Sequence, residues 1–260
     1  MKQIKEVLEK IYNDKELRRT IVPLFMSKPG QGKSNIIEDF MREKGVWKPP
    51  FVLSQRMPFE ISGMALVCKE TDRMKYYDFD FILDLKDNDI LFIDEITSSN
   101  PVTLNAFLTF LESRVLISGK PLANIMIVGA GNYEGMIPLT PQVKQRFLWY
   151  DCHFDKAMWI DYMTKKHGIT QSIGEKLTSL IAKEDFTGYN FYTPRSVDKA
   201  VSMLISNVPT PYEKIMKPIL EELITNELES PIKLGEERSL QPREMIKWIE
   251  LIQYKKGIRI

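Results

Sequence analysis

Residues 3–12 place Ile4, Val7, Leu8 and Ile11 at i, i+3, i+4 and i+7, one apolar stripe on a short helix. Four brief apolar runs follow at residues 21–26, 51–53, 90–93 and 125–128, each bounded by polar residues, Gly or Pro. Runs this short, apolar throughout rather than alternating, predict strands buried on both faces. Residues 35–44 and 101–111 carry helical spacing between them. Strand and helix thus alternate, and the expected class is α/β with a parallel sheet flanked by helices. A fifth apolar segment, 147–150, ends the alternation. From Asp155 onward the pattern is helical, with Ala157, Ile160 and Met163 on one stripe and Val197, Val201, Leu204 and Ile205 on another. Helices are expected over 155–167, 172–184, 194–206, 211–228 and 241–253. The division near His153 gives an α/β domain, 1–153, and an all-helical domain, 154–260. Segment 54–89 keeps no period, because Phe59, Tyr76, Tyr77, Phe79 and Phe81 are interleaved with charge, and it reads as an insertion or a mobile loop.

Composition narrows the possibilities. At 43% hydrophobic and 27% charged, the chain has ample core-forming material and is not disordered as a whole. Its net charge is +1, and residues 1–153 carry 20 basic and 20 acidic side chains against 16 and 15 in the remainder, so neither part is a polybasic module. Cys68 and Cys152 lack the spacing of a disulfide framework or a four-Cys zinc site. His153 and His167 fit no metal-binding or Ser-His-Asp pattern, and both read as structural. No apolar run nears the roughly 18 residues that span a bilayer, and the opening Met-Lys-Gln-Ile-Lys-Glu lacks the apolar core of a signal peptide. A cytoplasmic protein with no membrane partner is expected.

The strongest chemical signal follows the first strand, where Ser27-Lys28-Pro29-Gly30-Gln31-Gly32-Lys33-Ser34 matches a phosphate-binding P-loop except for Ser27, which stands where the pattern has glycine. Pro29, Gly30, Gln31 and Gly32 would form a loop whose amides approach phosphate oxygens at the positive end of the next helix. Lys33 would reach the β- and γ-phosphates and Ser34 would ligate Mg²⁺. A second acidic site is required, and Ile90-Leu91-Phe92-Ile93-Asp94-Glu95 supplies it. Asp94 can hold Mg²⁺ through a water, and Glu95 can orient or polarise the attacking water. Asn132 follows the fourth apolar run, whose Gly129-Ala130-Gly131 allows close approach, and it suits positioning of water or γ-phosphate. Arg146 and Arg195 are isolated arginines that would be surface residues taken singly.

Taken together and in this order, these residues resemble the AAA+ ATPases: Walker A, Walker B, sensor 1, arginine finger, sensor 2. The match covers about residues 17 to 205. The run Asp94-Glu95-Ile96-Thr97-Ser98-Ser99-Asn100-Pro101, then Leu111-Glu112-Ser113-Arg114-Val115, Gly129-Ala130-Gly131-Asn132 and Thr193-Pro194-Arg195-Ser196 are similar to the MoxR-type branch, in a form close to compact bacterial and phage members. The resemblance implies an AAA+ P-loop core with a C-terminal helical lid, ATP and Mg²⁺ as cofactors, Asn132 as sensor 1, Arg195 as sensor 2, and Arg146 as a finger reaching a neighbouring subunit's γ-phosphate. Arg114 competes for that inter-subunit role, before a hairpin implied at 114–124. Residues 51–66 would be the helix-2 insertion.

Three functions follow from the resemblance. The first is an ATP-hydrolysing hexameric ring that remodels a protein client, with a von Willebrand factor A-domain protein as the family's habitual partner. The second is a DNA-associated ATPase or GTPase, either a helicase loader or a restriction-type motor, against which the even charge argues. The third is an assembly scaffold gated by nucleotide binding alone.

Overall fold

In chain order the strands are β1 (Pro23–Ser27), β2 (Phe51–Val52), β3 (Met64–Cys68), β4 (Arg73–Tyr77), β5 (Ile90–Asp94), β6 (Met126–Asn132) and β7 (Leu148–Asp151). The helices are α1 (Lys2–Asn13), α2 (Lys15–Thr20), α3 (Lys33–Glu43), α4 (Pro58–Ser62), α5 (Asp80–Leu83), α6 (Pro101–Ser113), α7 (Pro141–Gln145), α8 (Lys156–His167), α9 (Gln171–Ala182) and α10 (Pro194–Ile205). The computed structural model describes residues 2–134, 141–182, 192–206, 208–210, 212 and 214–220, all within one compact unit, Met1–Leu220.

Five strands form one sheet in the order β2-β5-β6-β1-β7, every pairing parallel. Their apolar runs are explained by cover on both faces. Leu24 and Met26 of β1, with Ile93 of β5 and Ile127 of β6, pack with Leu104, Phe107, Leu108 and Leu111 of α6. The alternate residues Phe25, Ile90, Phe92, Met126 and Val128 pack with Ile4, Leu8 and Ile11 of α1 and Ile37, Phe40 and Met41 of α3. The N-terminal stripe is therefore half of one core layer. Helix α6 starts where Asn100 accepts a hydrogen bond from the Val102 amide and Pro101 occupies the first turn, and it ends at Arg114 in left-handed backbone, φ 48°.

Several expectations change. The segment 54–89 is ordered and holds a turn at Leu53–Gln55, α4, a β3–β4 hairpin and α5. Its lack of period has a cause: all five residues of β4 are exposed, so no face of the hairpin needs a hydrophobic stripe. On α8 the buried residues are Trp159 and Met163, while Ala157 is exposed. Of the helix expected over 211–228, residues 214–220 are helical and the rest, like 241–253, lies outside the described residues. A hairpin does follow Arg114, closed by a bridge between Val115 and Pro121. Among the described residues no helix is long and apolar enough to cross a membrane.

Candidate functional site

Strand β1 is buried along its whole length and delivers the loop 28–32 to the carboxyl end of the sheet. Gly32 ends that loop at φ 90° and caps α3, so the helix begins at Lys33 rather than at the expected residue 35. Any side chain at that φ would be strained. Lys33 is 6% exposed. Its Nζ donates to Ser27 Oγ at 2.6 Å and to Asn132 Oδ1 at 2.9 Å, both neutral oxygens. Burial pulls its pKa down from 10.5 to about 8, Asp94 opposing that shift and Arg195 adding to it. A buried ammonium held by neutral partners is a positive charge prepared for an anion. The departure at Ser27 acquires a role here: its hydroxyl accepts from Lys33 and donates to the Lys28 carbonyl.

The acidic side of the site comes from the end of β5, beside β6. Ser34 Oγ donates to Asp94 Oδ2 at 2.8 Å, so the two residues expected to hold Mg²⁺ already meet. One hydroxyl and one carboxylate are the hard oxygen donors suited to Mg²⁺, which fills its other positions with water and substrate phosphate. Glu95 follows in left-handed backbone, φ 56°. Such a conformation in a non-glycine residue costs about 1 kcal/mol or more and clusters at functional sites. Its carboxylate accepts a hydrogen bond from Ser54 Oγ in the turn Leu53–Gln55 that follows β2. Asn132 is fixed by its backbone: its amide donates to Thr97 Oγ1 at 3.0 Å, and the same hydroxyl donates to the Asn132 carbonyl at 2.9 Å. Gly131 permits this approach, since a Cβ there would lie 2.7 Å from Thr97 Cγ2.

The helical segment closes over the loop. Thr193 caps α10, accepting from the Ser196 amide at 3.0 Å, and the Arg195 amide donates to the Gly30 carbonyl at 3.2 Å. Gly30, at φ 74°, leaves the room: a Cβ would sit 2.9 Å from Thr193 Oγ1. Between loop, α3, α8 and α10 lies a cavity of about 450 Å³ whose walls include Ile36, Phe40, Met158, Trp159 and Arg195. It is apolar on one side and adjoins the phosphate loop on the other, as a nucleotide base and its phosphates require.

Arg146 is not at this site. Pro23 of β1 pairs with Leu148 of β7 and Met26 with Asp151, so Arg146 lies beyond the amino ends of the strands and the loop beyond their carboxyl ends. A five-residue strand separates them by about 16 Å, beyond the reach of a guanidinium to its own loop. Arg146 instead pairs with Glu112 at 2.5 Å. The structure thus brings together Gly30, Gly32, Lys33, Ser34, Asp94, Glu95, Asn132 and Arg195, and leaves Arg146 apart. Ser54 and Thr97 were missed by sequence reasoning. A polar residue just past the neighbouring apolar run was the available signal for Ser54, whereas Thr97 lies within the run 94–101 but nothing in the sequence marks it as the partner of Asn132.

No protein-family model matches the chain, and no curated protein does either. Among solved structures the chain is similar to RuvB of Thermotoga maritima, described as a Holliday junction branch migration motor, at 16% identity and TM-score 0.54, covering 86% of this chain and 69% of that one. A point variant of the same protein aligns at 13% identity and TM-score 0.55, over 100% of this chain and 82% of that one. The likeness is one of fold: the parallel α/β core of this chain is arranged as in RuvB.

Proposed function

We propose that this chain binds ATP with Mg²⁺ at the 28–34 loop and hydrolyses it as a head-to-tail assembly, a ring of six by family habit. One observation carries the reading: Lys33, buried and bonded among the described residues to neutral oxygens, sits behind a loop with Gly30 and Gly32 in left-handed backbone and opposite Asp94 and Glu95. In this reading Lys33 and the loop amides bind the phosphates, and Ser34 and Asp94 hold Mg²⁺. Bound there, the cation would neutralise charge developing on the phosphate oxygens. Glu95 orients the attacking water, Asn132 positions it, and Arg195 carries the state of the nucleotide to residues 154–260, which serve as the lid. Arg146 acts on the nucleotide of a second copy.

For the work done, the motifs around Arg114, Asn132 and Arg195 support a MoxR-type machine that remodels a protein client, with a von Willebrand factor A-domain protein as the first candidate. A DNA-associated motor is the second reading, favoured by the likeness to RuvB and opposed by the even charge of both parts of the chain. Salt-sensitive DNA binding that stimulates turnover, and a preference for GTP, would select the second.

The deciding experiment uses Glu95→Gln. It should bind ATP as tightly as the wild type while turnover falls on the order of 10²-fold or more. Normal turnover in that variant, or no nucleotide binding by the wild type, would sink the reading. The trapped form is also suited to capturing the client from the native host.

A further inference from the structure

Strand β5 pairs with β6 as far as Ile93, opposite Gly129. Beyond that pair Glu95, in left-handed backbone, turns the chain away. Asn132 lies further along β6, past the end of this ladder, where only β1 still runs alongside, with Ser27 level with it. The Asn132 amide and carbonyl would face an empty place on the β5 side, and a buried backbone group without a partner is costly. Thr97 fills that place. Its Oγ1 accepts from the Asn132 amide at 3.0 Å and donates to the Asn132 carbonyl at 2.9 Å, so one side chain stands in for the absent strand.

Two glycines make the fit possible. A Cβ at Gly129 would lie 2.6 Å from Ile96 Cδ1, and one at Gly131 would lie 2.7 Å from Thr97 Cγ2, so the turn Ile96–Ser98 rests directly on β6. Thr97 is 1% exposed. The turn is tied to its surroundings as well: the Ser98 amide donates to the Glu95 carbonyl at 3.1 Å, and the buried Ser99 Oγ donates to the Ile96 carbonyl at 2.8 Å. Glu95 and Asn132, far apart in the chain, are thereby joined through a single hydroxyl.

We propose that Thr97 is a positioning residue for hydrolysis, holding Asn132 and Glu95 in one fixed relation so that both face the same attacking water; the roles of those two residues are taken from the function proposed above. Its hydroxyl hydrogen is committed to the Asn132 carbonyl, so Thr97 acts through that residue rather than on the nucleotide. Asn132 Oδ1 in turn accepts from Lys33 Nζ, which extends the alignment to the phosphate loop. A misplacement of about 1 Å among aligned reacting groups can lower a rate about 10²-fold. Nucleotide affinity, set in this reading by Lys33 and the loop amides, is far less sensitive to it.

Thr97→Val keeps the side chain's shape and removes the hydroxyl, whereas Thr97→Ser keeps the hydroxyl and removes the methyl. In Thr97→Val that melts show to be folded, steady-state turnover should fall at least about tenfold while KM and ATP affinity stay within about threefold of wild type. Its preference for ADP–aluminium fluoride over ADP should fall with turnover. Thr97→Ser should restore turnover to within about threefold. Should Thr97→Val not fold, Gly131→Ala, which crowds Thr97 without removing its hydroxyl, takes its place. Turnover unchanged by Thr97→Val, or a loss that Thr97→Ser does not restore, overturns the positioning role. Amide hydrogen exchange without nucleotide tests the hold on Asn132 by itself: its amide should exchange at least about tenfold faster in Thr97→Val than in wild type or Thr97→Ser. Exchange indifferent to Thr97→Val overturns the hold. Hydroxyl-dependent protection in a protein that never cleaves ATP upholds the placement of Asn132 by Thr97 while removing the hydrolysis reading.

Discussion

The two ends of the parallel sheet carry opposite kinds of polar site. At the carboxyl ends of β1, β5 and β6, polar side chains satisfy one another: Lys33 with Ser27 and Asn132, Ser34 with Asp94, Asn132 with Thr97, Glu95 with Ser54. At the amino ends, three arginines line one cavity with one glutamate, which pairs with Arg146. The first site combines Lys33 and Arg195 with the carboxylates Asp94 and Glu95, whereas the second combines three arginines with a single carboxylate, Glu112. The strands between them hold the two sites about 16 Å apart, so under the function proposed above a finished catalytic set would take two chains.

The largest effect should come from the amino end. Arg146→Ala should lower steady-state turnover about 10³-fold or more, equivalent to about 4 kcal/mol of transition-state stabilisation. Nucleotide affinity measured at high dilution should stay unchanged. Mixing Arg146→Ala with Lys33→Ala should recover some activity, since the second chain still donates its arginine. If mixed assemblies containing both chains stay silent, the two ends do not meet between copies.

Lys33→Met sharpens the contrast from the other end. It should abolish nucleotide binding and yet stabilise the metal- and nucleotide-free protein. The depressed pKa of Lys33 represents about 3 kcal/mol of unfavourable burial, partly offset by two hydrogen bonds of roughly 1 kcal/mol each. A net gain of about 1–2 kcal/mol at pH 7 is expected. The folded pKa of about 8 lies below the unfolded 10.5, so between them the unfolded chain binds more protons and wild-type stability rises with pH. The variant's advantage is therefore greatest below pH 8 and shrinks toward pH 10.5. Denaturant melts at pH 7 and pH 10 measure this directly, and an advantage independent of pH would contradict the buried-charge account.

The smallest effect concerns the contact between α8 and α10. Asp198 on α10 accepts from Lys166 Nζ at 2.7 Å and meets His167 Nε2 at 2.7 Å on α8. Burial pushes its carboxyl up, but these bonds outweigh burial and hold it below its usual value of 3.8. The contribution is thus fully present above pH 3.8 and is lost as acid carries the pH through the lowered folded value. Asp198→Asn should cost about 1–2 kcal/mol in a denaturant melt at pH 7, and the gap from wild type should narrow in acid. A gap that persists unchanged below about pH 3 would assign the loss to packing instead.

Much of the carboxyl-end site is legible along the chain because each part is local. The loop needs Gly30 and Gly32 next to Lys33, Asp94 and Glu95 terminate an uninterrupted apolar run, and Gly129 and Gly131 announce a close approach before Asn132. What they approach was not legible: Thr97 reaches Asn132 only because β5 and β6 are neighbours. The hairpin of β3 and β4 was opaque for a different reason, since β4 is exposed along its whole length and β3 is at most half-buried, so neither strand carries a hydrophobic period. The bond from Ser54 to Glu95 needs β2 beside β5, a pairing of two residues at the sheet's edge.

The sequence by itself determined a parallel sheet with a glycine-bearing loop after its first strand, because short apolar runs and glycine positions are set by backbone sterics and burial acting over a few residues. Only the tertiary structure decided that Lys33 faces neutral oxygens, that the Arg195 amide bonds to Gly30, and that Arg146 stands at the opposite end of the sheet beside Arg19 and Arg114. Those outcomes depend on strand order and register, which bring together residues far apart in the chain, and desolvation of charge exists only once that packing has formed.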